Sequence, residues 1–382
     1  MPDNPQEDVS RERWELSRRR MLRNLGVAAA AVPFAGALTE MLTDMPANAS
    51  PRERVAAGER LARNSVFESP FASHPAYKFT FVCHVTTNTF FTPTQYAFAD
   101  AARMFGIPKP AWTGSINSIV SDMTTAIDTA VAANVKGIAT CIIAPASFNA
   151  PVDRALSKGI PVVSYNADEP GNNRMAYIGQ NNLTAGAAAA KRIVDSGYVK
   201  KGDLVGMIIA TPGTGNIQPR IDGALPTFKA AGYDTVSVAG GALQNQEDAA
   251  VPAWYLGHKD VKFMYAVDDG DTIAVAQTIS KYKLKGKVGG SGWDVGIPTL
   301  QQVQKGALLF SIDQQAYLQG FVPTVQLFLY NLSAGLMKPC DTDTGLGYVT
   351  TSTVGAYLSH KTRFEGSGTA QTAFAPPKKI SY

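Results

Sequence analysis

Residues 79–91 read FTFVCHVTTNTFF, and the change of character inside this stretch governs how the rest of the chain is read. Phe79, Phe81, Val82, Cys83 and Val85 form a near-continuous apolar run of β-formers. That is the pattern of a strand covered on both faces, as in a parallel sheet between helix layers. His84, Asn88, Phe90 and Phe91 cluster where the run ends. In open α/β sheets ligands sit beyond the carboxyl ends of the strands, so a polar and aromatic cluster here is a candidate site. Taken alone, the stretch reads equally as a strand end with an asparagine turn and two core phenylalanines.

Moving outward, the same rhythm recurs. Thr92-Pro93-Thr94-Gln95 has the pattern of a capping box with proline at the first helical position, and predicts a helix to Gly106 with Ala97, Ala101, Met104 and Phe105 on its apolar side. A weak strand near 110–114 precedes a helix marked by Val120, Met123, Ile127 and Val131 at helical spacing. Strands are expected at 138–144, 160–165 and 177–180, with helices over 148–157 and 184–196. From Asp203 the rhythm restarts: strands at 204–211, 235–238, 261–267 and 287–292 alternate with helices over 217–230, 246–256 and 272–282. A strand at 308–312, a long helix over 317–333 and a late strand at 348–354 follow. Such alternation argues for parallel βαβ sheets, and two successive sets argue for two lobes. The expected fold class is therefore α/β, with two doubly wound parallel-sheet lobes.

Composition narrows the function. The chain has 382 residues, 45% of them hydrophobic, which allows two full cores. Its formal charge of +4 is small, and Lys and Arg are dispersed beyond residue 50, so no nucleic-acid footprint is present. Cys83, Cys141 and Cys340 are an odd count at no metal spacing. Cys83 and Cys141 fall on strands expected to be neighbours; buried apolar thiols are the favoured reading and a bridge the alternative. A monomer is expected.

Motifs for catalysis are missing. Gly213-Thr214-Gly215-Asn216 opens a helix after a strand, but position 218 is Gln, so neither a dinucleotide fingerprint nor a phosphate-binding loop is completed. No nucleophile elbow occurs, and His74, His84, His258 and His360 make no metal motif. Asp268, Asp269 and Asp271 lie where a strand gives way to a helix N-terminus, where carboxylates are favoured anyway, so they read as capping groups and not as a cation site. No cofactor or metal is expected. What remains suits a small neutral polyhydroxylated ligand, whose C–H faces stack on aromatic rings and whose hydroxyls both donate and accept. Phe90, Phe91, Asn88, Asn166, Asp268, Asp294 and Gln314 supply that inventory from the ends of several strands.

These residues resemble the exported sugar-binding proteins of ABC importers, the ribose-binding group in particular, over roughly residues 77–351. In that group Asn-x-Phe-Phe follows the first strand; Asn88-Thr89-Phe90-Phe91 stands in the matching place, with His84 at the strand-end contact. The group's Asp-Arg after the fourth strand is met by Asn166 and Ala167, with Asp168 next. Its Ile-x-x-Asp-Asn is matched by Ile178, Asn181 and Asn182. Its Arg-x-x-Gly appears as Arg220 and Gly223, beside the turn residue Asn216, while a sugar-contacting Arg two residues earlier is Gln218. Asp268 and Asp269 correspond to its Asn-Asp, Gly292-Trp293-Asp294 to its Gly-Phe-Asp, and Gln314 to the Gln at its second crossover. The resemblance implies the type I periplasmic binding fold with a three-strand hinge, a ligand clamped between the lobes and hinge closure. It further implies an ABC permease as membrane partner. Lobes of 77–181 plus 315–345 and of 182–314 plus 346–360 are expected, preceded by a linker or helix at 50–76 and followed by a flexible tail at 361–382. Loss of the Asp-Arg pair argues against ribose itself, and HVTTN-x-FFTPTQY resembles the binders of small sugar alcohols.

Upstream, Ser17 to Arg23 read SRRRMLR, which resembles the twin-arginine export signal. An apolar segment from Leu25 to Leu38 and an Ala47-Asn48-Ala49 cleavage pattern complete a signal peptide over residues 1–49, implying export to the periplasm or another extracytoplasmic space. Two other function classes frame the reading. A sugar-modifying enzyme would use His84 with Asp168 or Asp294, without any nucleophile motif to support it. An inducer-binding regulator domain would need a helix-turn-helix where the signal stands.

Overall fold

The computed structural model describes residues 73–169 and 171–358. The export signal, the segment at 50–72 and the tail beyond 358 lie outside the described residues. Within them the chain forms two six-stranded sheets. In the first, β1 (Phe79–Cys83) lies between β2 (Ala111–Gly114) and β3 (Gly137–Thr140), and β4 (Val162–Tyr165), β5 (Tyr177–Gly179) and β11 (Thr342–Asp343) extend it. Every pairing in it is parallel. All five residues of β1 are buried, as a strand sandwiched between helix layers requires.

The second sheet repeats the plan. Its order is β7 (Asp234–Ala239), β6 (Leu204–Ile209), β8 (Phe263–Ala266), β9 (Gly289–Trp293), β10 (Phe310–Asp313) and β12 (Gly347–Val349). Only β12 runs antiparallel, against β10, a departure from the all-parallel expectation at this sheet's edge. Parallel neighbours need crossover connections, and helices supply them on both faces. These are α1 (Thr92–Phe105), α2 (Val120–Ala132) and α3 (Pro145–Ser157) for the first sheet, and α4 (Asn182–Asp195), α5 (Gln218–Ala230), α6 (Gln244–Gly257), α7 (Asp269–Lys281) and α8 (Ile297–Gln304) for the second. The long α9 (Leu318–Leu332) returns to pack on α1. The result is the doubly wound two-lobed α/β architecture.

Local detail departs from the sequence reading in three places. No side-chain box starts α1: a single 3-10 turn, Thr89–Phe91, precedes it, and Asn88 caps that turn by accepting from the Phe90 amide at 2.8 Å. Helix α8 was not anticipated. The late strand stops at Val349, and Val354 instead opens a short helix, α10 (Val354–Tyr357). Strand β9 forms from the unpromising run GGSGW because α7 lies so close that a Cβ on Gly292 would stand 1.9 Å from Thr272 Oγ1.

The chain passes between the sheets three times, at Gln180–Asn181, at 314–317 and at 344–346. Hydrogen bonds tie the passes together. Gln180 Nε2 donates to the Gly345 carbonyl at 2.9 Å, Thr344 Oγ1 to the Gln314 carbonyl at 2.9 Å, and the Thr344 amide to the Gly179 carbonyl at 3.0 Å.

Candidate functional site

At the carboxyl end of β1, Phe91 is only 2% exposed and belongs to the core of the first lobe. It stands edge-on to Phe90 at 4.8 Å and to His84 at 5.5 Å, and leans on Trp112 and Tyr165. This placement makes the ring a structural support of the strand end. Asn88 spends its side-chain carbonyl on the turn that presents the two rings. His84 is half-buried and its Nδ1 is buried without a partner. Cys83 and Cys141 beside it are free, buried thiols, so the bridge left open above is not formed.

The end of β4 supplies Asn166 and Asp168. Asn166 has φ +63°, a left-handed conformation that Asn tolerates better than most residues, and its Nδ2 donates to Gln319 Oε1 at 3.1 Å. Asp168 is held on both oxygens by Arg174, at 2.8 and 2.6 Å, and also accepts from Ser164 Oγ at 2.6 Å. Such a bidentate pair fixes a loop, which leaves Asp168 committed within its own lobe. Its neighbour Glu169 reaches the other lobe instead: Glu169 Oε1 accepts from the Gly215 amide at 3.0 Å.

On the second lobe the buried polar residues interlock. Asp294, at the end of β9, is 6% exposed with φ +76° and accepts from Gln314 Nε2 at 2.6 Å. Gln314 Oε1 is buried and has no partner. The Arg220 guanidinium, fully buried, donates to Asn182 Oδ1 at 3.0 Å and to the Val267 carbonyl at 2.7 Å, and lies 4.9 Å from the centre of the Trp293 ring. Trp293 Nε1 in turn donates to Gln180 Oε1 at 2.9 Å, in the first interlobe pass. Burial pushes the Asp294 carboxyl up to about 8, against the pull of the nearby Arg220 cation. Burial likewise lowers Arg220, opposed by Asp294 and other neighbouring groups. An acid that titrates near neutrality, with an amide oxygen left unpaired beside it, can meet a hydroxyl as donor or as acceptor.

The remaining predicted residues are more dispersed. Asp268 caps α7, accepting from the Asp271 amide at 3.0 Å and from the Ala210 amide at 3.1 Å. Asn216 accepts from Asn182 Nδ2 at 2.8 Å through its backbone carbonyl. Gln218 braces its own loop, accepting from Gly213 and donating to Asp222. Sequence reasoning missed Gln319, Gln180 and Glu169, because each acquires a partner from a distant part of the chain, and Arg174, whose partner Asp168 lies six residues away across a loop turn.

Two doubly wound lobes, joined by three bonded passes over a buried polar network, define a bilobal α/β binding protein. Residues 79–330 match the model of the periplasmic binding protein domain, and the chain belongs to that family. It is 40% identical over 313 residues to the xylose/arabinose-binding protein XylF of Sulfolobus acidocaldarius, covering 78% of this chain and 76% of that one. The D-allose-binding periplasmic protein of Escherichia coli is 24% identical over 249 residues, covering 63% of this chain and 79% of that one. Among solved structures, an ABC transporter solute-binding protein from Burkholderia graminis, in complex with D-arabinose, superposes with a TM-score of 0.68. At 24% identity it covers 75% of this chain and 100% of its own length.

Proposed function

We propose that this protein is the exported sugar receptor of an ABC importer, which captures one monosaccharide between its lobes and presents the closed complex to the membrane permease. The observation that carries the reading is the buried Asp294–Gln314 pair, with Gln314 Oε1 unpartnered, beside the passes that join the lobes. A buried polar atom without a partner is costly unless a ligand satisfies it, and sugar hydroxyls do so in either sense. The Arg220 cation acts on Asp294, and Asn166 is linked to Gln314 through Gln319, whose Nε2 donates to the Gln314 carbonyl. Direct hydroxyl partners are assigned to Asp294, Gln314, Arg220 and His84. Asp168 and Gln218 act on the loops that flank them.

Closure is the second part of the proposal. The Glu169–Gly215 hydrogen bond joins loops of the two lobes, so the arrangement corresponds to a closed cleft, and opening would break this bond while the three passes flex. The 40% identical relative is named for xylose and arabinose, which makes a pentose the first candidate. A sugar alcohol is the second reading, favoured by Asn166 and Ala167 where the ribose-binding group carries a charged Asp-Arg grip. Neither reading includes a catalytic step. Export through the twin-arginine route rests on Arg18, Arg19 and the apolar segment after them. A thermal-shift panel of pentoses, hexoses and four- to six-carbon alditols tests the assignment, because a ligand of the folded state raises the melting temperature. Stabilisation by a pentose or an alditol supports it; stabilisation by none of them rejects it.

A further inference from the structure

We propose that Glu247, Asp268 and Asp271 form a binding site for a hard divalent cation of the calcium class, set between the N-terminal turns of α6 and α7. One oxygen from each of the three lies within 4.8 Å of the others. Asp271 is 0% exposed, and no N–H or O–H donor reaches either of its oxygens. Glu247 is 5% exposed. None of the ion pairs among the described residues involves any of the three. Asp268 uses both oxygens on backbone amides, yet each carboxylate oxygen has a second lone pair to offer.

The surrounding backbone is shaped to admit the carboxylates. A Cβ on Gly240 would fall 1.7 Å from Asp271 Oδ1, and one on Gly270 would fall 1.9 Å from Glu247 Oε2. Two glycines thus clear the space into which two acids converge, from different segments of the chain. Two buried carboxylates beside a half-buried third, Asp268, on which Arg220 acts, are unfavourable together unless protons or a metal neutralise them. Calcium accepts all-oxygen, carboxylate-rich cages, whereas magnesium holds several of its waters and suits such a buried site less.

The test needs no sugar, so its outcome is separable from that of the proposed function. Protein stripped with EDTA is titrated with calcium chloride while the melting temperature is followed, and bound calcium is counted by equilibrium dialysis. The proposal expects about one calcium per chain and a rise in melting temperature of several degrees at saturation. Glu247→Gln and Asp271→Asn should each abolish the rise, and the wild-type stoichiometry stands as the readout if a variant fails to fold. Absence of binding to the wild type overturns the proposal. So does an undiminished calcium response in both variants, or an Asp271→Asn protein more stable than calcium-saturated wild type, which would mean that the acids share protons instead.

Discussion

Replacing Asp294 with asparagine should leave sugar affinity almost unchanged in mild acid and weaken it above neutrality. Burial raises the Asp294 carboxyl to about 8. Below that value the neutral acid offers an O–H donor beside an acceptor oxygen, and the asparagine amide likewise pairs N–H donors with an acceptor oxygen. Above it the carboxylate is acceptor-only, and a sugar hydroxyl donating to it forms a charge-assisted bond. Such bonds contribute about 1.5–3 kcal/mol against about 0.5–1.5 kcal/mol for a neutral one, so ionisation adds about 1–1.5 kcal/mol, or roughly five- to tenfold in affinity. Wild-type affinity should therefore rise by that factor between mild acid and pH 9, while the Asp294→Asn protein stays at the low-pH value throughout. Gln314 Nε2 keeps an acceptor in the variant, and Arg220 keeps Asn182 and the Val267 carbonyl, so the fold should survive. Isothermal titration calorimetry at several pH values checks this. A flat wild-type profile, or a variant that follows the wild type, would refute the role given to Asp294.

The same raised carboxyl makes stability fall with pH in the sugar-free protein: the folded state holds a proton that the unfolded chain has released, so Asp294 stabilises most below its unfolded pKa near 4 and that stability is lost as pH rises toward about 8. Chemical denaturation across that window should show the decline, and an increase would contradict the assignment. Phe91→Ala should act on the fold, costing about 3–5 kcal/mol, because the ring is buried among Phe90, Trp112 and Tyr165. A variant with wild-type stability and lost sugar binding would return Phe91 to the ligand surface. Gly215→Ala places a Cβ 2.0 Å from Glu169 Oε1 and should hold the lobes apart. Small-angle scattering should then show less compaction on adding sugar than in the wild type, and equal compaction would remove Glu169 from the closure.

The fold was largely legible because buried parallel strands announce themselves by composition. Phe79–Cys83, Val162–Tyr165 and Phe263–Ala266 are apolar β-formers between helical repeats, and no other arrangement buries them as well. Strand β9 was legible only in part, since its glycines reflect the approach of α7 and not strand propensity. Of the strand-end residues singled out, Asp294 and Gln314 do meet. Individual roles were less readable. Asn88 beside two phenylalanines suggests a stacking wall, but whether Phe91 faces a ligand or the core depends on Trp112 and Tyr165, which the local sequence does not place. Asp168 looks free until Arg174, six residues on, closes upon it. Glu169 and Glu247 carried no signal, because each depends on a glycine elsewhere in the chain that makes room for it.

The central claim is that the lobes hold one sugar and do nothing chemical to it. Its most direct test is calorimetric titration of the purified protein with D-xylose and L-arabinose, with the sugar recovered afterwards and analysed. The account predicts saturable binding of one molecule per chain to at least one of the two, and recovery of that sugar unaltered. No heat of binding from either, or recovery of an altered sugar, would contradict it.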